Sequence, residues 1–131
     1  MQGSSAVLIL VVEDDRAAGN EIKRALEDAG FRVLLVESGE KATSMFDENA
    51  GEIGGLIADV KLGGNVSGWD VARHAREVNQ ELPVVYITGF HVEDWASQGV
   101  PKSTLVQKPF APAQIITAIS LLLNVSSSSA G

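Results

Sequence analysis

Polar side chains that can bind a cation or an anion follow several short apolar runs of this chain. Glu13, Asp14 and Asp15 come directly after the run VLILVV. Three more chemically active side chains, an acid, a hydroxyl and an amine, stand at the ends of later apolar runs: Asp59, Thr88 and Lys108. If the fold brings these run ends together, the sequence predicts one site that contains carboxylates, a hydroxyl and an ammonium group.

Such a group of carboxylates needs a compensating cation. Carboxylates repel one another in a partly dry site, because the Coulomb energy grows as the dielectric constant and the separation fall. The chain has no cysteine and no histidine close to these acids in sequence, and carboxylate oxygens with water favour the hard ion Mg²⁺. We therefore predict that Glu13 and Asp14 hold Mg²⁺ and that Lys108 adds a fixed positive charge.

The same residues suit phosphoryl transfer. A hydroxyl at Thr88, an ammonium at Lys108 and a metal ion can together bind three phosphoryl oxygens around one carboxylate. An aspartate can act as a nucleophile towards phosphorus and form an acyl phosphate. Because Asp59 is the carboxylate in the middle of this set, the sequence favours Asp59 as the acceptor.

Alternating strands and helices are predicted to position these side chains. Strands are indicated by short, branched apolar runs, at 7–12, 31–36, 56–60, 83–88 and 104–107. Helices are indicated by apolar residues at three- and four-residue steps, from 16 to a stop at Gly30, at 40–48, from 68 or 69 to 78, at 92–98 and at 111–124.

This alternation predicts a doubly wound α/β fold. Right-handed crossovers place helices on both faces of a parallel sheet. In such sheets, ligands bind beyond the carboxyl ends of the strands, where the strand order reverses. The predicted site residues stand at those ends, so the predicted fold brings them together.

Size and composition limit the functions to consider. The chain has 131 residues, which suits one domain, and 45% of them are hydrophobic. Its net charge of −7 argues against direct binding to nucleic acid or to a membrane surface, because both are polyanionic. The absence of cysteine, of a signal-like leader and of a long apolar run fits a cytoplasmic protein.

Four motifs carry a resemblance to a known family. They are VVEDD at 11–15, LIADV at 56–60, VVYITG at 84–89 and VQKPF at 106–110, and each lies at a predicted strand end. In this order they resemble the receiver domain of two-component response regulators, over about residues 7–124. The resemblance implies a flavodoxin-like (βα)5 three-layer sandwich with a five-stranded parallel sheet in the order 2-1-3-4-5.

The resemblance also implies roles for the site residues and partners. Asp59 would be the phosphoacceptor, with Thr88 and Lys108 binding the phosphoryl group and Pro109 in the cis form. The implied Mg²⁺ ligands are Glu13, partly through water, Asp14, Asp59 and the backbone carbonyl of Lys61. A sensor histidine kinase or a phosphotransfer protein would supply the phosphoryl group, and the phosphorylated domain would act on an unknown downstream protein.

Some positions depart from the family's pattern. Leu105 stands where the family usually has an aromatic switch residue, while Phe90 follows Thr88 and Gly89, as in a variant of some stand-alone receivers. The loop KLGGNVSG after Asp59 is one residue longer than usual and lacks the usual proline. The helix around 92–98 is expected to be short and irregular, since Gly99 and Pro101 follow it.

Two other functions remain open at this point. The missing aromatic at Leu105 lends weight to a pseudo-receiver that binds partners without phosphorylation. A Mg²⁺-dependent phosphatase of the haloacid dehalogenase type also forms an aspartyl phosphate, but it needs a second aspartate two residues after the first, where this chain has Lys61. We therefore expect a signalling domain and not an enzyme.

The remaining expectations concern boundaries and ordinary structural roles. We expect a disordered N-terminus at 1–5, the receiver domain at 6–124 and a flexible serine-rich tail at 125–131. Asp15 is expected to cap the first helix. We expect packing roles for both tryptophans and ordinary surface positions for both histidines: Trp69, Trp95, His74 and His91.

Overall fold

The computed structural model describes residues 6–90 and 92–130, with side chains described as far as Val125. Five strands alternate with five α-helices in this part of the chain. The strands are β1 (Leu8–Val12), β2 (Arg32–Val36), β3 (Ile53–Asp59), β4 (Val84–Thr88) and β5 (Ser103–Gln107). The helices are α1 (Arg16–Asp28), α2 (Gly39–Glu48), α3 (Gly68–Val78), α4 (Trp95–Gln98) and α5 (Pro112–Ala130).

All five strands form one parallel sheet in the order β2-β1-β3-β4-β5. The order reverses at β1, which lies between β2 and β3. The register aligns the carboxyl ends of neighbouring strands, for example Asp59 beside Ile87 and Thr88 beside Gln107. The predicted doubly wound α/β fold with strand order 2-1-3-4-5 is confirmed.

Two apolar layers hold helices to the two faces of the sheet. Because successive strand residues point to opposite faces, Leu10 joins Phe46 of α2 and the inner residues of α3 on one side. Ile9 and Ile57 join Ile119 of α5 and the inner residues of α1 on the other. These side chains are almost completely buried, so the molecule is a three-layer sandwich.

Side-chain caps fix the loops that leave the carboxyl ends of β1 and β3. The carboxylate of Asp15 accepts a hydrogen bond from the Ala18 N–H at 2.9 Å, so the predicted cap of α1 is confirmed. Ser67 and Asp70 form a reciprocal capping box at the start of α3, which satisfies two backbone donors. Both helices therefore begin at defined positions next to the sheet edge.

Three elements differ from the sequence prediction by more than one residue or in type. β3 begins at Ile53 and not at Leu56. The predicted helix at 92–98 is a 3₁₀ turn, Val92–Asp94, followed by the four-residue helix α4. α5 continues past Asn124 to Ala130.

Some predictions fall on residues without a description. The disordered N-terminus predicted at 1–5, the surface position predicted for His91 and the last residue of the predicted tail lie outside the described residues. In the part of the chain that the structure describes, no helix combines the length and the apolar character needed to cross a membrane.

Candidate functional site

The carboxyl ends of the strands form a cleft of about 370 Å³. The structure brings all six predicted site residues to its lining: Glu13, Asp14, Asp59, Lys61, Thr88 and Lys108. Asp15, Leu62, Gly63, Gly89 and Phe90 complete the lining. The residues meet because β1, β3 and β4 end at the same sheet edge and because Lys108 directly follows β5.

Asp59 lies at the centre of this cleft and is only 3% exposed. The Lys108 ammonium donates to Asp59 Oδ2 at 2.6 Å and lies 3.8 Å from Glu13 Oε1. The Lys61 N–H donates to Asp59 Oδ1 at 3.1 Å. The Asp59 carboxylate is therefore held from two sides by donors on different segments.

Backbone contacts around Asp59 are close. A Cβ at Gly68 would collide with the Asp59 carbonyl oxygen, and the Gly68 N–H donates to the Val60 carbonyl at 2.9 Å. The first turn of α3 therefore packs directly against the end of β3, an approach that only glycine permits. This role of Gly68 was not predicted from the sequence, although a glycine at the start of the helix that follows the site loop is a sign of close backbone packing.

Thr88 is buried at the end of β4, and its hydroxyl oxygen accepts the Phe90 N–H at 3.2 Å. The Phe90 side chain itself is 79% exposed at the mouth of the cleft. Thr88 thus lines the cleft, and its hydroxyl is hydrogen-bonded to the backbone of a residue whose large ring is exposed.

The charges of the cleft perturb one another. Burial raises the pKa of Glu13 to about 7, and the charge of Asp59 adds to the rise against the opposing effects of the Asp15 N–H and of Lys108. Burial lowers the pKa of Lys108, but the hydrogen bond and charge of Asp59 outweigh this effect and hold it above its usual value. The carboxylates therefore outnumber the positive charge available to them.

The donor set fits a hard divalent cation. Carboxylate oxygens of Glu13, Asp14 and Asp59 all lie within 4.8 Å of one another. Glu13 Oε1 is buried and has no hydrogen-bond partner among the described residues, so this oxygen is available to a cation. Asp14 is exposed on the solvent side of the cluster, where a metal ion can keep water ligands.

The tryptophans and the described histidine, which were not predicted to belong to the site, lie outside the cleft. Trp69 is nearly buried, and Trp95 is 37% exposed. His74 lies 2.7 Å from the Asp47 carboxylate on α2 and contacts the ring of Phe46. The surface position predicted for His74 therefore also bridges α2 and α3.

A larger cleft of about 490 Å³ opens on the other side of Glu13. It lies beside β2, between α1 and α2, and its lining includes Leu35, Val36 and Met45. The acidic cluster opens instead into the smaller cleft, so size does not identify the site here.

The peptide bond between Lys108 and Pro109 is cis, as predicted. It follows the residue that places the ammonium beside Asp59.

Comparison with known proteins gives one consistent family. The model of the response regulator receiver domain matches residues 9–120. The structure is similar to the crystal structure of a response regulator receiver protein from Sinorhizobium medicae WSM419, with 44% identity and a TM-score of 0.89. That similarity covers 92% of this chain and 97% of the other.

Two curated relatives are longer proteins. The chain is 28% identical over 117 residues to the transcriptional regulatory protein CusR of Escherichia coli K12, covering 88% of this chain and 50% of CusR. It is 27% identical over 123 residues to the sensor kinase CckA of Brucella abortus, covering 92% of this chain and 13% of CckA. The chain thus spans half or less of these relatives.

Proposed function

Because the chain belongs to the response regulator receiver domain family, we propose that it is a phosphorylation switch. Asp59 accepts a phosphoryl group in a Mg²⁺-dependent reaction, and this phosphorylation switches the binding of the domain to a partner protein. The observation that carries this proposal is the buried Asp59 carboxylate, which lies 2.6 Å from the Lys108 ammonium and beside the carboxylates of Glu13 and Asp14.

The acidic cluster is the proposed Mg²⁺ site. Glu13, Asp14 and Asp59 would hold the ion, together with the backbone carbonyl of Lys61. Bound there, Mg²⁺ supplies positive charge to the phosphoryl oxygens. Glu13 Oε1 supports this site, because it is buried and has no hydrogen-bond partner among the described residues. The burial that raises the pKa of Glu13 supports it as well, because a bound cation would offset the cost of a buried negative charge.

The chain's own residues perform the remaining steps. A carboxylate oxygen of Asp59 forms the new bond to phosphorus while the bond from phosphorus to the donor's histidine nitrogen breaks. Lys108 then donates to a phosphoryl oxygen in place of the carboxylate, and the Thr88 hydroxyl binds a second one. These donors stabilise the charge that spreads over the transferred group.

The proposed partners are proteins. The phosphoryl source is a sensor histidine kinase or a phosphotransfer protein, a proposal supported by the similarity to the sensor kinase CckA. We propose a cytoplasmic domain at 6–124 that acts on a downstream protein. The net charge of −7 supports a domain that binds neither nucleic acid nor membrane directly.

Labelling with acetyl phosphate tests the function. Wild-type protein in Mg²⁺ should gain one phosphoryl group, and Asp59→Asn should gain none, as measured by intact mass spectrometry. Asp28→Asn, which changes an exposed aspartate at the end of α1, is the matched control and should be labelled like the wild type. Removal of Mg²⁺ by EDTA should stop the labelling.

Two results would contradict the proposal. Undiminished labelling of Asp59→Asn would show that another residue is the acceptor. If the wild type is not labelled and its amide chemical shifts do not change when Mg²⁺ is added, the result would favour an interaction domain that works without phosphorylation.

A further inference from the structure

The segment that links β4 to β5 is attached to its neighbours mainly by hydrogen bonds and less by apolar packing. Residues 95–103 comprise α4, the turn that follows it and the first residue of β5, and are called the α4 segment below. Within it, Val100 alone is buried. α3, by contrast, buries Trp69, Val71 and Ala72 among others. Apolar packing therefore contributes little to holding the α4 segment.

Arginines of α3 hold the outer side of the α4 segment through its backbone. Arg73 Nη1 donates to the Gln98 carbonyl at 3.0 Å. Arg76 donates to the Pro101 carbonyl at 2.6 Å and to the Lys102 carbonyl at 3.2 Å. These bonds are exposed to solvent, so each contributes modestly.

The inner side is held by one buried hydrogen bond. The Val100 N–H donates to the Tyr86 hydroxyl oxygen at 3.0 Å, and Tyr86 is completely buried in β4. Burial raises the pKa of Tyr86, so its hydroxyl stays neutral at physiological pH. The Trp69 ring packs edge-on against the Tyr86 ring, with 4.6 Å between the centroids.

Tyr86 lies between the α4 segment and the proposed phosphorylation site. It is two residues before Thr88 on the same strand, so both side chains point to the same face of the sheet. Its aromatic partner Trp69 directly follows Gly68, the residue that packs against the Asp59 carbonyl. Tyr86 is therefore linked to both sides of the cleft.

We propose that Tyr86 is a positioning residue whose buried hydroxyl couples the state of Asp59 to the position of the α4 segment. In the unphosphorylated domain the hydroxyl holds Val100. A shift of β4 at Thr88, or of the first turn of α3, alters this bond and repositions the segment. The coupling rests on the proposed function, whereas the attachment of Val100 to Tyr86 does not.

Tyr86→Phe tests the proposal, because it removes the hydroxyl and keeps the packed ring. In the unmodified protein, the Val100 amide should exchange with solvent about fivefold faster than in the wild type, as measured by NMR hydrogen exchange. Asp59 should be labelled by acetyl phosphate at the wild-type rate. The change in α4-segment exchange that labelling causes in the wild type should be reduced at least by half.

Ser97→Ala is the matched control. It removes another hydroxyl of the same segment, the one that donates to the Asp94 carbonyl at 3.3 Å, and it leaves the bond between Tyr86 and Val100 in place. This variant should keep the wild-type exchange at Val100 and the wild-type response to labelling. A general loosening of the segment would instead affect both variants equally.

The outcomes separate the two claims. Equal Val100 exchange in Tyr86→Phe and wild type would overturn the attachment. Faster exchange with an unchanged response to labelling would overturn the coupling. An unlabelled wild type would overturn the proposed function and the coupling together, while the exchange comparison would still decide the attachment.

Discussion

Replacing Glu13 by glutamine tests the electrostatics of the cleft. Burial and the Asp59 charge raise the pKa of Glu13 from 4.5 to about 7. Glu13 is 2% exposed, so solvent screening is small. Since one pKa unit corresponds to about 1.4 kcal/mol, the rise from 4.5 to about 7 corresponds to about 3 kcal/mol of folding free energy.

The sign follows from proton binding. Between pH 4.5 and about 7 the folded metal-free protein keeps a proton on Glu13 that the unfolded chain has already released. The protonated carboxyl therefore contributes its full stability below pH 4.5, and this contribution is lost as the pH rises through about 7. Glutamine does not titrate, so Glu13→Gln should avoid this loss.

Urea unfolding in EDTA measures the effect. From about pH 4 to about pH 8, the free energy of unfolding of Glu13→Gln should rise relative to that of the wild type by about 3 kcal/mol. Glu52→Gln, at an exposed position, controls for the loss of one formal charge. Saturating Mg²⁺ should stabilise the wild type more than Glu13→Gln. A difference between Glu13→Gln and wild type that is independent of pH would refute the reasoning.

Three further substitutions test the residues that position Asp59 and the loop that follows it. Ser67→Ala removes the capping box that Ser67 forms with Asp70 and should lower the free energy of urea unfolding by about 1 kcal/mol. Gly68→Ala places a Cβ against the Asp59 carbonyl; it should cost about 1–3 kcal/mol by the same measurement and slow acetyl phosphate labelling. Lys108→Ala removes the ammonium at 2.6 Å from Asp59 and should slow labelling about a hundredfold, as measured by mass spectrometry.

Specific results would contradict each of these expectations. An unchanged unfolding midpoint of Ser67→Ala would mean that water replaces the cap without loss. A Gly68→Ala protein with wild-type stability and labelling would show that α3 can move away from β3. A Lys108→Ala protein labelled at the wild-type rate would remove Lys108 from the proposed mechanism.

The strands and the site could be predicted because one physical rule covers both. Fully buried parallel strands require continuous apolar runs, so a polar residue at the end of such a run marks both the end of the strand and a candidate site residue. Asp59 and Thr88 are visible on this basis alone, and each lies in the cleft. The parallel topology then brings residues far apart in sequence to one sheet edge.

The start of β3 could not be predicted, because Gly54 and Gly55 have low strand propensity. In the structure, Gly55 pairs with Ile9 of β1, and a Cβ at Gly55 would press on the side chains of Ile9 and Ile119. Pairing with β1 and packing under α5 therefore determine this end of the strand. Neither contact is visible in the local sequence.

The attachment of the α4 segment was hidden for a similar reason. Tyr86 belongs to an apolar run and is expected only to pack in the core. Its partner, the Val100 N–H, lies in an irregular segment that has no periodic pattern. A hydrogen bond between a strand interior and such a segment depends on tertiary position alone. The missing aromatic at Leu105 is visible in the sequence. The hydrogen bond made by Tyr86, which lies beside Leu105 on β4, is visible only in the structure.

Charge balance explains why the proposed signal would reach Tyr86. The cluster contains three carboxylates, from Glu13, Asp14 and Asp59, and one adjacent ammonium, an excess that a divalent cation offsets. A phosphoryl group on Asp59 would replace one carboxylate charge by about two phosphate charges, so nearby donors must reorient towards it. Thr88 is such a donor and shares β4 with Tyr86, so its reorientation would act on the strand that holds the α4 segment.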